Sequence, residues 1–367
     1  MFEYFDETGI TLHGLPGQVY VDDHLFTVEQ RALFRNNWMF VGFAHELPNA
    51  GDAQPIEAAQ APLFLLRGKD KKISAYHNVC RHRNLKLIDE KCNTGRLIRC
   101  PYHSWSYDLC GRLKNAPYFG GAVRELPEDF VYEDHSLKRV HSEVWHDWIF
   151  VNLSDNPVDF DEFLAPIKRQ LGRVDLTDFE VASTLDFGIV ECNWKLLMEN
   201  FIEPYHVQFV HSSTTDQPLS DHYTVVDEHC LGSAVELTAE QLAKARQGTL
   251  GVTAHYLTLF PNFVLGTYLP DQIGVHLNTP VEVGKTRQKR VIYLHRESQY
   301  TSQMIDELSK LWHSVHVEDH EMCMRLHKGR HSPIAQYGGV LSPCWENSVR
   351  RFQQLLADTI RPVLSQS

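Results

Sequence analysis

CRHRN, residues 80–84, and CPYHSW, residues 100–105, decide the fold. The first segment supplies Cys80 and His82 with one residue between them, the second supplies Cys100 and His103 with two between them, and 17 residues separate the pairs. Each pair mixes one thiolate with one imidazole. Structural zinc sites usually take their ligands as Cys-x2–4-Cys and His-x3–5-His pairs, so that each loop presents like ligands. The Cys-x-His pair fits that habit poorly, and a zinc ribbon is the alternative for the set. A buried thiol or a core histidine accounts for any one of these residues taken singly. Four of them in two short, turn-bounded loops point to a metal site.

In a Rieske [2Fe-2S] centre two cysteines hold one iron and two histidines the other, so each loop has to contribute one of each. The spacing here meets that demand. On these loops and on the aromatic-rich SWSYDLCGRL that follows, the chain resembles the Rieske domain from about residue 40 to 155. The resemblance implies a [2Fe-2S] cluster held by Cys80, His82, Cys100 and His103. In the respiratory-complex branch of that family, extra cysteines brace the two loops with a disulfide. The matching positions here are Leu85 and Tyr102, so the domain resembles the oxygenase and ferredoxin branch. Cys92 and Cys110 fall outside the ligand positions.

More than 200 residues follow, far more than a ferredoxin needs, so the cluster is expected to serve a second centre. NWKLLMENFIEPYHVQFVH, residues 193–211, is the candidate. His206 and His211 are five apart, which on a regular helix sets them about 140° apart around the axis. To share a metal the helix has to break or bulge between them, and Pro204 can help by removing a backbone donor and crowding the turn before it. Two histidines and one carboxylate on one face of an iron, with open positions for O2, define a non-haem Fe(II) oxygenase site. The pattern of an acidic residue, two residues, His, four residues, His, after NWK-x3-EN, resembles the catalytic domain of Rieske non-haem iron oxygenases.

Together the two motifs extend the resemblance over nearly the whole chain, and its implications are specific. The third iron ligand in that family is an Asp at the start of a downstream helix that ends in a Gly-containing turn. VEDHEMCMRLHKG places Asp319 there, with Glu318 as its immediate rival and Asp306, Glu307 and Glu321 behind it. A helix-start carboxylate that merely complements the macrodipole is the bland alternative. Glu203 matches the acidic residue that, in the family, bonds an iron-site histidine and reaches a cluster histidine of the next subunit; here that would be His103, or else His82. The family residue is often Asp, and Glu lengthens the reach. Asn200 is a candidate neighbour of the iron.

Length and composition agree with this organisation. The 367 residues, 43% hydrophobic and 22% charged, suit a two-domain globular protein. With 47 Asp+Glu against 35 Lys+Arg, the net charge of −12 argues against nucleic acid or an anionic membrane as partner. No apolar run approaches a membrane span, and MFEYFDETG is acidic where a secretory signal is basic and then apolar, so the cytoplasm is the expected location. The 8 Cys are too sparse for a disulfide framework, and with 21 His they suggest metal chemistry.

The expected fold is α+β. A helical segment over 1–40, packing on the catalytic domain and opened by a Thr27/Gln30 capping box, precedes an all-β Rieske domain over 41–155. The catalytic domain, 156–367, carries a largely antiparallel sheet covered by helices. Strand candidates there are YLTLFPNFVLGTYL and RQKRVIYLHRES; helix candidates are CNWKLLMENF, SQMIDELSKLWHSV and WENSVRRFQQLLADTI. In the second helix, apolar Met304, Leu308, Leu311 and Val315 define one expected buried face.

The resemblance thus implies the oxygenase component of a multicomponent system. O2 and a small organic substrate meet at the iron, and electrons come from NAD(P)H through a separate flavin- or ferredoxin-type reductase, since no GxGxxG fingerprint is present. One subunit's cluster has to meet the next subunit's iron, and head-to-tail contacts close into rings, here a homotrimer. Members that oxidise quaternary ammonium compounds are similar in length and in carrying Glu at the bridging position. Tyr256, Phe260, Phe263 and Tyr268 are candidate walls for an ammonium group, although alternate aromatics in strands more often form core. Oxidative C–N cleavage of such a compound is the leading expectation. Hydroxylation of an aromatic acid, which would want an Arg or Lys inside the pocket, is the rival. An electron-transfer protein without catalysis is the alternative of another class.

Overall fold

Short β-forming runs broken by Gly, Pro, Asn and Asp fill residues 39–152, and they pair into an antiparallel seven-stranded sheet. The computed structural model describes residues 12–122, 126–212, 214, 218–236, 253–268 and 270–364. The chain divides into two units, Phe34–Phe160 and the pair of segments Met1–Leu33 and Asp161–Ser367.

In the unit Phe34–Phe160 the strands lie in the order Met39–Phe43, Trp148–Asn152, Arg139–Trp145, Ile73–His77, Ala61–Arg67, Asp52–Ala58 and Cys92–Asn93. A second sheet joins Leu97–Arg99, Ser106–Asp108 and Leu113–Asn115. Phe64, Tyr76, Trp105, Tyr107 and Leu113 form one buried cluster that also contains Cys80 and Cys100. Gly111 makes this packing possible: its φ is +77°, and a Cβ there would stand 2.5 Å from the Tyr76 ring.

In the other unit, a short strand Leu12–His13 and a single turn Gln18–Val21 precede helix α1, Asp23–Glu29. The expected Thr27/Gln30 capping box does not form. Asp22 caps the helix instead, its carboxylate accepting from the Leu25 N–H at 2.9 Å. Starting there buries Leu25, Phe26 and Val28, and Thr27 lies inside the helix, donating to Asp23 O at 3.0 Å.

Seven antiparallel strands then form the large sheet, in the order Phe179–Val190, Lys285–His295, Gln272–Glu282, Phe263–Tyr268, Thr253–Leu259, Cys230–Glu236 and His222–Asp227. Helices α2 (Trp194–Ile202), α3 (Ser302–Arg330) and α4 (Asn347–Leu364) pack on it and on one another, giving the α+β architecture. Of the aromatics singled out in the sequence, Phe260 packs edge-to-face on Phe352 of α4 at 5.4 Å and Phe263 is core, whereas Tyr256 and Tyr268 face a cavity. Leu269, the last residue of the YLTLFPNFVLGTYL run, lies outside the described residues.

The apolar face expected on α3 is not the buried one. Met304 and Leu311 are each 43% exposed, while His316 and Cys323 are buried. The helix docks through hydrogen bonds: Ser309 Oγ to Ser183 Oγ at 2.8 Å, Trp312 Nε1 to Gln272 Oε1 at 3.3 Å, and His320 Nε2 with Gln288 Oε1 at 2.5 Å. The row Trp312, His316, Asp319 and Cys323 has helical spacing and points inward, and its polarity hides it from a search for apolar periodicity.

Candidate metal centre

The two cysteine loops are copies of one turn. In the first, Cys80 N–H donates to Leu85 O at 2.8 Å and Asn84 N–H to Cys80 O at 2.9 Å; in the second, Cys100 N–H donates to Trp105 O at 2.8 Å and Ser104 N–H to Cys100 O at 3.0 Å. Asn84 and Ser104 both take the left-handed conformation, at φ +57° and +59°. The turns bring the side chains together: both thiols are buried and free, and the His82 and His103 rings stand 4.5 Å apart. His82 stacks on Trp105 at 5.1 Å. Tyr107 Oη lies 3.3 Å from Cys80 Sγ and accepts from Arg81 N–H at 3.0 Å. Burial, and then the neighbouring Cys100, raise the Cys80 thiol pKa despite the Tyr107 contact. Two buried thiols and two outward imidazoles fit a two-iron cluster with cysteine on the inner iron and histidine on the outer. Cys92 and Cys110 are exposed.

In the other unit, α2 is the platform. Asn193 caps it, and it is bolted to α1 by a fully buried ion pair, Lys195 Nζ with Glu29 Oε1 at 2.5 Å, with Trp194 Nε1 donating to Glu29 Oε2 at 3.0 Å. Glu199 Oε1 accepts from Tyr20 Oη at 2.6 Å and from Gln353 Nε2 of α4 at 3.0 Å. Such groups are tolerated inside because each is met by a partner.

The helix stops at Ile202. Glu203 is extended (φ −117°, ψ 140°), as expected of a residue before proline. The break therefore comes before both histidines, and His206 and His211 flank a single turn, Val207–Val210. Their rings are 5.3 Å apart.

Asp319 completes the group. Its Oδ1 lies 3.5 Å from His206 Nε2 and 3.1 Å from His211 Nε2, and the three ligand atoms fall within 4.8 Å of one another. The Asp is not at a helix start as the resemblance implied. It sits in the second half of the 29-residue α3, which runs unbroken because no Pro or Gly interrupts residues 302–328. The macrodipole explanation falls with that placement. Glu318 does not face the Nε2 atoms. It holds the far side of His211, Oε2 to Nδ1 at 2.7 Å, as Glu203 Oε1 holds His206 Nδ1 at 2.6 Å. Asp306, Glu307 and Glu321 are exposed elsewhere on the helix. Asn200 Nδ2 donates to Asp319 Oδ1 at 2.9 Å.

These contacts fix both rings with Nε2 toward the common point. Burial works against charge on the imidazoles, but Glu203 at His206 and Asp319 at His211 outweigh it and raise both pKa values. Burial likewise pushes Asp319 up, yet His211, His206 and Asn200 hold its carboxyl below the usual range. Two nitrogens and a carboxylate oxygen, each backed by its own hydrogen bond, suit a divalent iron with an open face.

That face looks onto a cavity of about 250 Å³ whose walls include Phe201, Tyr256, Tyr268, His276, Arg290, Trp312 and His316. Arg290, His276, His316 and the supporting role of Glu318 escaped the sequence reading. The available signal was the polar alternation Gln288, Arg290 beside the apolar run of the Lys285–His295 strand, which places buried polar groups on one face.

Comparison with known proteins bears on both units. Residues 169–361 match the model of the ring hydroxylating alpha subunit (catalytic domain), and residues 37–127 match that of the Rieske [2Fe-2S] domain. The glycine betaine monooxygenase oxygenase subunit of Chromohalobacter salexigens is 34% identical over 236 residues, 64% of this chain and 51% of that protein. The chain thus spans about half the length of that curated relative. The carnitine monooxygenase oxygenase subunit of Escherichia coli K12 is 27% identical over 288 residues, 77% of this chain and 75% of that protein. The crystal structure of the quaternary ammonium Rieske monooxygenase CntA with γ-butyrobetaine superposes with a TM-score of 0.79 at 22% identity, covering 95% of this chain and 96% of that one, which establishes a shared fold.

Proposed function

Because this chain belongs to the ring hydroxylating alpha subunit family and carries a Rieske domain ahead of the catalytic one, we propose that it is the oxygenase component of a multicomponent Rieske oxygenase. Its electrons would come from NAD(P)H through a separate reductase, and its reaction would be the hydroxylation of a carbon beside nitrogen in a small quaternary ammonium compound. The observation that carries the proposal is the convergence of His206, His211 and Asp319 on an aromatic-walled cavity. The names of the glycine betaine and carnitine relatives support the substrate class.

Cys80, His82, Cys100 and His103 would hold the cluster, and His206, His211 and Asp319 the iron. When bound, the cluster supplies one-electron transfer and the iron supplies O2 activation. The chain's own residues do the rest. Glu203 and Glu318 keep Nδ1–H of each histidine engaged, so that Nε2 is the lone-pair donor. Asn200 holds Asp319 in place, and the cavity wall excludes water from the reacting carbon. Hydroxylation next to nitrogen gives a product that collapses to amine and aldehyde.

Glu203 would in addition link this site to His103 of the partner subunit, with His82 as the alternative. That linkage requires head-to-tail assembly, for which a homotrimer is the simplest closed ring. A cytoplasmic location is consistent with a chain in which no described helix is long and apolar enough to cross a membrane.

Hydroxylation of an aromatic acid is the second reading, and the buried Arg290 in the cavity wall is the observation in its favour. Substrate-dependent NADH and O2 consumption with a surrogate reductase separates the two. Glycine betaine, carnitine or choline should drive uptake and release an aldehyde. Turnover of aromatic acids with no response to those compounds would overturn the proposal.

A further inference from the structure

Arg290 is a charged feature of the cavity that the ligand set does not use. It is 1% exposed, on the strand Lys285–His295, directly across from His276 in the sheet register. Its Cζ lies 3.7 Å from the Trp312 ring centroid and 4.9 Å from that of Tyr268. Nη1 donates to His316 Nε2 at 3.2 Å, while Nε–H has no acceptor among the described residues. Room for the guanidinium comes from Gly274 on the adjoining strand, where a Cβ would stand 2.5 Å from Nη2. Tyr268 is a further hydrogen-bond partner of the guanidinium, Asp319 acts on it through space, and no carboxylate of the described residues pairs with it.

A guanidinium taken out of water is costly unless an oxyanion meets it. Its neighbours supply none: burial, followed by Arg290 at His276 and by His276 and then Arg290 at His316, lowers both imidazole pKa values. The cavity of about 250 Å³ therefore holds a guanidinium that no carboxylate of the described residues contacts directly.

We propose that Arg290 anchors a carboxylate of the substrate, so that the substrate class is small monocarboxylates presenting their other end to His206, His211 and Asp319. The proposal rests on this cavity being the oxygenase's substrate site. A single guanidinium suits a singly charged oxyanion, and the Trp312 stack fixes its plane for bidentate contact. Phe201 and Tyr256, 6.3 Å apart, wall the same cavity and would receive an ammonium group of a betaine. An aromatic acid could supply the same carboxylate.

Calorimetric binding to the holoenzyme, with cluster and iron loaded, distinguishes these sources. The probes are glycine betaine, carnitine, choline and benzoate, and the variants are R290K and R290Q, each checked for iron content and visible spectrum. Glycine betaine or carnitine should bind wild type at least about tenfold tighter than choline. R290Q should bring them down to the level of choline, and R290K should restore part of the difference. Equal binding of carboxylated and carboxyl-free ammonium compounds, or an unchanged preference in R290Q, would overturn the anchor while leaving the quaternary ammonium reading in place. Benzoate binding that depends on Arg290, with no binding of the ammonium compounds, would support the anchor and overturn that reading. Failure of all four probes to bind would overturn both. The wild-type series stands without any variant, so misfolding of R290Q leaves the test intact.

Discussion

The two candidate centres are built on opposite plans. The cysteine loops are local: each pair of donors sits within one turn, and the two turns repeat the same backbone hydrogen bonds. The His206, His211 and Asp319 group is assembled across the chain, on a helix break and a distant helix, and the Glu318 that orients His211 lies 107 positions further along. The loops face outward with half-exposed or exposed imidazoles, whereas the second group is enclosed and backed by two carboxylates. A centre made of repeated turns needs little beyond its own segment, and one carried on helices depends on every anchor that places those helices.

The largest effect should come from removing a ligand on either side. His206→Ala should abolish substrate-dependent O2 uptake and empty the mononuclear site while the visible spectrum of the cluster persists. His103→Ala should bleach that spectrum and leave the other iron in place. Metal analysis and absorption spectra of both variants check this, and loss of both metals in either one would break the separation.

Acid should strike the catalytic unit before the cysteine loops. Burial pushes the His255 imidazole down to about 4 and also holds His222, His276 and His316 low. The unfolded chain takes up protons near pH 6.5 that the folded chain refuses, so stability is fully present above that pH and falls as pH drops toward 4. His255 alone should contribute a loss of up to about 3 kcal/mol across that window. Thermal melts should show a shallower decline below pH 6.5 in His255→Gln, and an unchanged slope would count against a neutral buried imidazole.

Glu203 and Glu318 perform the same local task, and their variants should part company. Either carboxylate-to-amide change should weaken iron binding by roughly 10–100-fold at most. Only Glu203→Gln should also slow reoxidation of the reduced cluster in the presence of substrate and O2, measured by stopped flow at saturating iron. Equal slowing in Glu318→Gln would remove the special status of Glu203.

The smallest effect concerns Tyr107. Tyr107→Phe removes the hydroxyl beside Cys80 Sγ and leaves the Arg81 N–H without that acceptor. A loss of about 1 kcal/mol and a lower cluster potential are expected, read by melting and by redox titration.

The sequence was readable in proportion to how local each feature is. The Cys80 and Cys100 loops follow from spacing alone; the angle between His206 and His211 called for a break between them, whereas the chain breaks at Glu203, before both, and leaves a single turn between the two rings. The setting of Asp319 was misread because a helix start was borrowed from resemblance, whereas α3 runs through that position without a breaker. The buried face of α3 was misread for a physical reason: Trp312, His316 and Cys323 dock by hydrogen bonds and polar packing, and the apolar residues Met304 and Leu311 stay exposed. Arg290 could not be seen as a cavity residue until the sheet register set it across from His276 and beside Gly274.

Iron, zinc and acid-labile sulfide per chain, measured on anaerobically purified protein, test the central claim of two distinct iron centres most directly. The account predicts about three irons and about two sulfides, with one iron lost selectively in His206→Ala. Stoichiometric zinc with no sulfide would contradict it.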